Sequence, residues 1–178
     1  FEQGWTELPM ADSTADESVF SATIPRSVQG HRTLVRYRIR VEDKIGNAVT
    51  LPYADDEQPN FAYFCYNGVP AWTGSNRVNG QKETFPSSVM SSLPAYHLIA
   101  NSTDVTNSQY NSSFDTVHFN GTLVYDGTVY DHIEFRNRGE FSTYVSGKNK
   151  WRLYFNRTRG LQARDNHGRR YAQAKKTI

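Results

Sequence analysis

The sequence predicts a mostly β protein, in which a sandwich-like N-terminal segment precedes an antiparallel sheet carrying a little helix. Three observations predict it. Eleven Tyr, ten Phe and three Trp occur in 178 residues, and such side chains favour the pleated, half-buried surface of a strand. Residues 33–41 alternate one by one, Leu34, Arg36, Arg38 and Arg40 against Val35, Tyr37, Ile39 and Val41, which is the period of a strand with one face in water. Asp126-Gly127 stands between two apolar runs, and a two-residue type I′ turn needs residues that tolerate positive φ at both central positions.

In chain order, residues 19–24 read as a short strand stopped at Pro25, which has no N–H to give to a ladder. The alternating run 33–41 follows, its arginine face expected in solvent. Residues 42–47 turn the chain, with Gly46-Asn47 supplying the positive φ of a tight hairpin. Residues 48–51 return and 61–66 close the module. Strands this short, punctuated this regularly, fit part of an immunoglobulin- or fibronectin-like β-sandwich, so residues 1–66 are assigned to such a module. Residues 67–91 are assigned to a linker, because Asn67-Gly68-Val69-Pro70, Gly74-Ser75-Asn76, Asn79-Gly80 and Pro86-Ser87-Ser88 interrupt them too often for regular structure.

Residues 92–178 form the second unit, an antiparallel-sheet α+β half-domain. Residues 93–99 open it as a strand. Ser102-Thr103-Asp104 can cap a short helix in the polar stretch 101–113. The hairpin 117–135 comes next. Its two-residue turn sets a register in which Tyr125 faces Thr128, Leu123 faces Tyr130, Gly121 faces His132 and Phe119 faces Glu134. One face then carries Leu123, Tyr125, Tyr130, His132, Glu134, Arg136 and Arg138, and the other Val124, Val129, Ile133 and Phe135. Both faces hold apolar residues, so the sheet is expected to be covered on one side and to overhang something on the other. A last strand, 150–155, sets Trp151, Leu153 and Phe155 against Arg152 and Tyr154.

Composition narrows the function classes. Cys65 is the single cysteine, which excludes an internal disulfide and a cysteine-based zinc site; its strand-like surroundings make it a buried, inert thiol. No apolar run reaches the roughly 20 residues that span a bilayer, and no signal peptide is present. Neither end resembles a natural terminus, so the chain is expected to be a piece of a longer protein. Residues 1–90 hold 8 Lys+Arg against 11 Asp+Glu, whereas residues 91–178 hold 12 against 7. All of the latter basic residues lie from Arg136 onward, making the C-terminal third a candidate for contact with phosphate or for a solvated basic surface.

No complete catalytic motif occurs: no Gly-Xaa-Ser-Xaa-Gly, no phosphate loop ending in Gly-Lys-Ser/Thr, no His-Glu-Xaa-Xaa-His. Asp55-Asp56-Glu57 lacks the spacing of a calcium loop and reads as a solvated turn. Asp165-Asn166-His167-Gly168 reads as a tight turn. Asn101, Asn111, Asn120 and Asn156 satisfy the glycosylation sequon, a triplet that arises easily in an Asn/Ser-rich chain. The best site-like group is Arg136, Arg138, Lys148, Lys150 and Arg152. Spacing of two puts Arg136 with Arg138, and Lys150 with Arg152, on common strand faces, where guanidinium forks and ammonium groups would suit a polyphosphate.

The same residues carry a resemblance. Val129-Tyr130-Asp131-His132-Ile133-Glu134-Phe135-Arg136-Asn137-Arg138-Gly139 resembles the Tyr-x-x-Val-x-Phe-Arg-x-Arg-Gly segment of CotH-type spore-coat kinases. Ser142-Thr143, Lys150-Trp151-Arg152-Leu153-Tyr154-Phe155 and Leu93-Pro94-Ala95-Tyr96-His97-Leu98 look like further segments of that domain, and 164–169 like a variant in large secreted members. The module 1–66, with its Leu34–Ile39 and Asp43–Asn47 segments, is similar to one that precedes the domain in multidomain members.

What the resemblance implies is a kinase-like small-lobe sheet in residues 92–178, one face under a helix and the other roofing a nucleotide. Arg138, Lys150 and Arg152 become the candidate cofactor contacts, toward ATP, with Mg²⁺ supplied in the full-length parent. The aspartates that hold metal and substrate hydroxyl are expected beyond residue 178, in a C-terminal lobe of the same protein, so this piece alone is expected to be inactive. A surface or coat protein would be the substrate, and the location secreted or cell-surface. Nucleic acid is not an expected partner. The competing reading is a non-catalytic adhesion or carbohydrate-binding β module using exposed Trp5, Trp72 and tyrosines.

Overall fold

The computed structural model describes residues 4–13, 16–75, 80–109, 116–138, 150–165 and 167–178. Asn76, Asn79, Asn111, Gly139, Ser142-Thr143, Lys148 and Asn166, singled out above, lie outside the described residues. The fold is mostly β, all named strand pairs are antiparallel, and no sheet among the described residues closes into a barrel.

The N-terminal region builds three two-stranded sheets. Strand β1 (Ala11–Ser13) pairs with β2 (Asp16–Ser21), β3 (Thr33–Tyr37) with β6 (Phe61–Cys65), and β4 (Ile39–Glu42) with β5 (Ala48–Leu51). The alternating run 33–41 is divided at Arg38, where Nε donates to the Pro59 carbonyl (2.7 Å) and the guanidinium lies 4.3 Å from the centre of the Trp5 ring. The turn after β4 is held by Asp43, whose carboxylate accepts the N–H groups of Ile45 and Asn47, while Gly46 takes φ +90°.

Residues 67–91 carry regular structure in spite of their turn signals. Strand β7 (Trp72–Ser75) pairs with β8 (Lys82–Phe85), and α1 (Ser87–Met90) follows. Cross-strand side chains account for the hairpin. Trp72 stacks on Phe85 at 5.8 Å, and the hydroxyls of Thr73 and Thr84 bond at 2.8 Å. The indole covers Gly74, where a Cβ would clash with the ring.

The C-terminal region contains the core. Strands β9 (Tyr96–Ala100), β10 (Phe119–Tyr125), β11 (Thr128–Arg138) and β12 (Lys150–Tyr154) form one sheet in the order β12-β11-β10-β9. Helix α2 (Ser102–Gln109) links β9 toward β10; Asn101, rather than Ser102, caps it, its Oδ1 accepting the Thr103 N–H at 2.9 Å. Leu123, Tyr125, Tyr130, Ile133, Phe135, Leu153, Phe155 and Leu161 bury one sheet face, with Val105 of α2 and Trp151 packed against them. The tail runs back along the outer edge of β12: Leu153 N–H donates to Ile178 O (2.9 Å), Ile178 N–H to Leu153 O (3.2 Å) and Phe155 N–H to Lys176 O (2.8 Å). That edge is thereby paired instead of open.

The expected hairpin register holds only near the turn. Tyr125 faces Thr128 and Leu123 faces Tyr130, but Gly121 faces Ile133 and Phe119 faces Phe135. Thr122 thus stands opposite both Asp131 and His132, a β-bulge with His132 at φ +50°. One extra residue reverses the side-chain parity of everything after it. Ile133 and Phe135 join Tyr130 in the core, and Glu134, Arg136 and Arg138 turn to the opposite face, away from Leu123 and Tyr125. The physical reason is plain: the regular register would bury three charges and expose two large apolar side chains.

The opposite face is not open along its whole width. β6 and the residues beside it cover it from β9 to the Asp131 end of β11, with His97 packed against Phe64 (5.1 Å) and Tyr66 (4.6 Å) and Asn60 bonded to Asp131. Arg36, expected in solvent, instead points into this junction and ion-pairs with Asp131. At the β11–β12 end lie the cations.

Candidate anion-binding face

Register brings the basic residues together. Arg136 lies directly opposite Arg152, and Arg138 directly opposite Lys150. All four share the face turned from the core, where Trp151, Leu153 and Phe135 point the other way. Glu134, opposite Tyr154, belongs to the same face. Like charges directly across an antiparallel pair repel, so this arrangement concentrates positive potential at a cost to the sheet. Lys148, predicted with them, is outside the described residues.

Tyr154 organises the group. Its hydroxyl accepts the Arg136 Nε–H at 2.7 Å, and the Arg136 and Arg152 guanidinium carbons lie 5.8 and 5.4 Å from its ring centre. The imidazole of His118 stacks on the ring at 4.6 Å and bonds through Nδ1 to Glu134 Oε2 at 2.8 Å. Arg136 is only 8% exposed, so its planar head is held in place; Arg138 and Lys150 are exposed and Arg152 is half-buried. Fixed and mobile cations side by side can take an anion with several oxygens, the forks giving direction and the ammonium giving charge. No nucleophile and base stand together here, and no group of three or more His, Cys, Asp or Glu able to hold a metal occurs among the described residues.

Glu134 and Tyr154 share strand faces with the cations in the sequence without being named in the group, and His118 is not expected there at all. Tyr154 was visible in the sequence as a strand neighbour of Arg152, two positions away. His118 and Glu134 became neighbours only through the bulge.

The bulge itself rests on a buried polar junction. Asp131 is fully buried. Arg36 reaches it from β3 with two bonds, Nε to Oδ2 (2.7 Å) and Nη2 to Oδ1 (2.6 Å). Thr122 Oγ1 and Asn60 Nδ2 also donate to the carboxylate, and the His132 N–H donates to Oδ1 (2.9 Å). The His132 ring bonds to Asn60 Oδ1 at 2.7 Å. Gln58 and Asn156 both donate to the Asp131 carbonyl. Burial pushes the carboxyl up, but the hydrogen bonds from Arg36, Thr122 and Asn60, with the Arg36 charge, outweigh it and hold Asp131 well below the usual carboxylate range.

The remaining candidates sit apart. Glu57 accepts from the backbone and hydroxyl of Thr158, so the Asp55-Asp56-Glu57 turn braces the C-terminal region. Asp165 accepts the N–H groups of His167 and Arg169, closing the tight turn with Gly168 at φ +76°. A cleft of about 300 Å³ between His31, residues 67–70 and α1 contains no acid, lysine or arginine. No family model, curated protein or solved structure matches the chain.

Proposed function

We propose that residues 92–178 supply the phosphate-binding sheet of an extracytoplasmic atypical protein kinase of the CotH-like type, with Arg138, Lys150 and Arg152 as the nucleotide contacts. In this reading an immunoglobulin- or fibronectin-like accessory module precedes a kinase-like small lobe. A C-terminal lobe of the same protein would bring the carboxylates for Mg²⁺ and for the hydroxyl of a surface or coat protein. The observation that carries the reading is the cross-strand opposition of exposed Arg138 to exposed Lys150, with half-buried Arg152 on the same face, a repulsive arrangement that an anion would relieve. Phosphoryl transfer proceeds by positioning and charge neutralisation, with metal held by carboxylates; the sheet face offers the first and not the second.

Isothermal titration of ATP and of tripolyphosphate into the chain tests it. Binding is expected for both, weakening as salt rises. The triple substitution Arg138→Ala, Lys150→Ala, Arg152→Ala should raise Kd by at least about tenfold, since hydrogen bonds to charged groups contribute roughly 1.5–3 kcal/mol each. Unchanged binding in that variant would remove the proposal. Phosphoryl transfer by the chain alone is not expected.

A second reading, a carbohydrate-binding β module, draws on Trp72. Its indole is 54% exposed yet fixed by Phe85 beneath it and Gly74 alongside. A preorganised aromatic plane suits the apolar face of a sugar ring. Glycan-array binding abolished by Trp72→Ala, with no response to ATP, would favour this reading.

A further inference from the structure

We infer that Arg36 is the positioning residue that sets the register of β11 and so builds the cationic face, an inference that rests on the anion-binding reading above. A two-residue turn at Asp126-Gly127 permits two pairings beyond Leu123 and Tyr130. In the regular one Asn120 would face Ile133, and Glu134, Arg136 and Arg138 would fall on the side of Leu123 and Tyr125. In the observed one Asn120 faces Glu134, and the charged residues share their face with Lys150 and Arg152.

Hydrophobic burial favours the observed register, but the bulge brings two costs: a non-glycine residue at positive φ, His132, and a carboxylate, Asp131, at 0% exposure. Both are answered from the N-terminal region. Asn60 bonds the His132 ring and one Asp131 oxygen, and Arg36 gives the carboxylate its two-point counterion. Without that guanidinium, Asp131 would keep neutral donors and the His132 ring 3.8 Å away. Buried ion pairs are weak sources of net stability and are best attested as devices that fix registry. The consequence is that residues 1–66 are part of the site's construction: remove Arg36 and the bulge that turns the row Glu134, Arg136, Arg138 to its face loses the counterion of its buried Asp131.

The test is a cross-link that reports register. In a Cys65→Ser background, Asn120→Cys with Glu134→Cys places two thiols directly across the observed ladder, within disulfide reach; the regular register separates them. Oxidation should close this bridge with Arg36 present, and yield should fall about tenfold with Arg36→Met, the scale on which supporting residues affect what they position. Arg36→Met with Asp131→Asn leaves no unpaired charge and should show the same loss while retaining a folded circular dichroism spectrum. If both fail to fold, Arg36→Lys, which keeps charge without the fork, decides. In the proteins without added cysteines, tripolyphosphate Kd should rise in step with the lost cross-link. Parental cross-linking and parental Kd in these Arg36 variants overturn the inference. Absence of tripolyphosphate binding by the parent overturns the anion reading instead, and the cross-link still decides the role of Arg36.

Discussion

Asp131, buried, and His97, half-buried, are the inner residues through which solution pH reaches the fold, beside the surface carboxylates of Asp43, Glu57 and Asp165, whose hydrogen bonds also lower their pKa values. Asp131 has its folded pKa depressed by Arg36, Thr122 and Asn60 against the opposing effect of burial. Its contribution to stability is therefore complete above the unfolded value of about 4 and is lost as pH falls below it. His97 has the opposite chemistry with the same direction of loss. Burial between Phe64 and Tyr66, then the nearby Arg32 and His31, push its pKa down, so the fold holds the neutral ring. Stability is full above about 6.5 and declines as pH falls through that value. Two steps are expected in the urea midpoint, one between roughly pH 7 and 5 and one below roughly pH 4. His97→Gln should flatten the first step only. Asp131→Asn should reduce the second and, by leaving the 12% exposed Arg36 head without its counterion, lower stability by about 3–5 kcal/mol in urea titrations at pH 7.

At the scale of the element, local chemistry was readable and distant chemistry was not. The Asp126-Gly127 turn, both residues at positive φ, announced itself, and the two expected pairs beside it, Tyr125 with Thr128 and Leu123 with Tyr130, followed. The cation cluster was legible because residues two apart on a strand share a face whatever lies opposite. The bulge was missed: the charges and apolar residues of 133–138 favour its parity, but the ion pair that accommodates its buried Asp131 joins positions 95 residues apart. For the same reason Arg36 was read as solvated, since alternation shows which residues share a face but not what covers it. The β7–β8 hairpin was hidden by turn residues that outnumber its one stabilising stack. Gly121 illustrates how tightly β10 is gripped. A Cβ there would stand 3.0 Å from Phe135 Cδ1 and 3.2 Å from the Ile99 carbonyl, a buried ring and a backbone atom that cannot move aside. Gly121→Ala is accordingly expected to cost about 1–3 kcal/mol, seen as a lower Tm in calorimetry.

Over the whole molecule, two regions of opposite charge share one interface, and the sheet at their centre has its outer edge paired by the tail. Deleting residues 175–178 would uncover the N–H and C=O groups of Leu153 on β12 and the N–H of Phe155 just past it, and unpaired edges recruit other strands. Concentration-dependent association in sedimentation velocity is expected for that deletion, beyond any shown by the intact chain.

The Arg36–Asp131 pair also orders events in time. A ribosome adding about 5–20 residues per second delivers Arg36 roughly 5–20 s before Asp131. Through that interval β3 and β6 are a two-stranded sheet with neither face covered by the partner sheet, a species of marginal stability in water. The turn-side part of the β10–β11 hairpin is equipped to form on its own timescale, whereas the bulge and the junction must wait for the long loop to close. The segment synthesised first is thus expected to settle last. Pulse-labelled hydrogen exchange should protect Leu123 and Tyr130 before Val35, and an arrested nascent chain ending short of Asp131 should leave its first sixty residues open to protease.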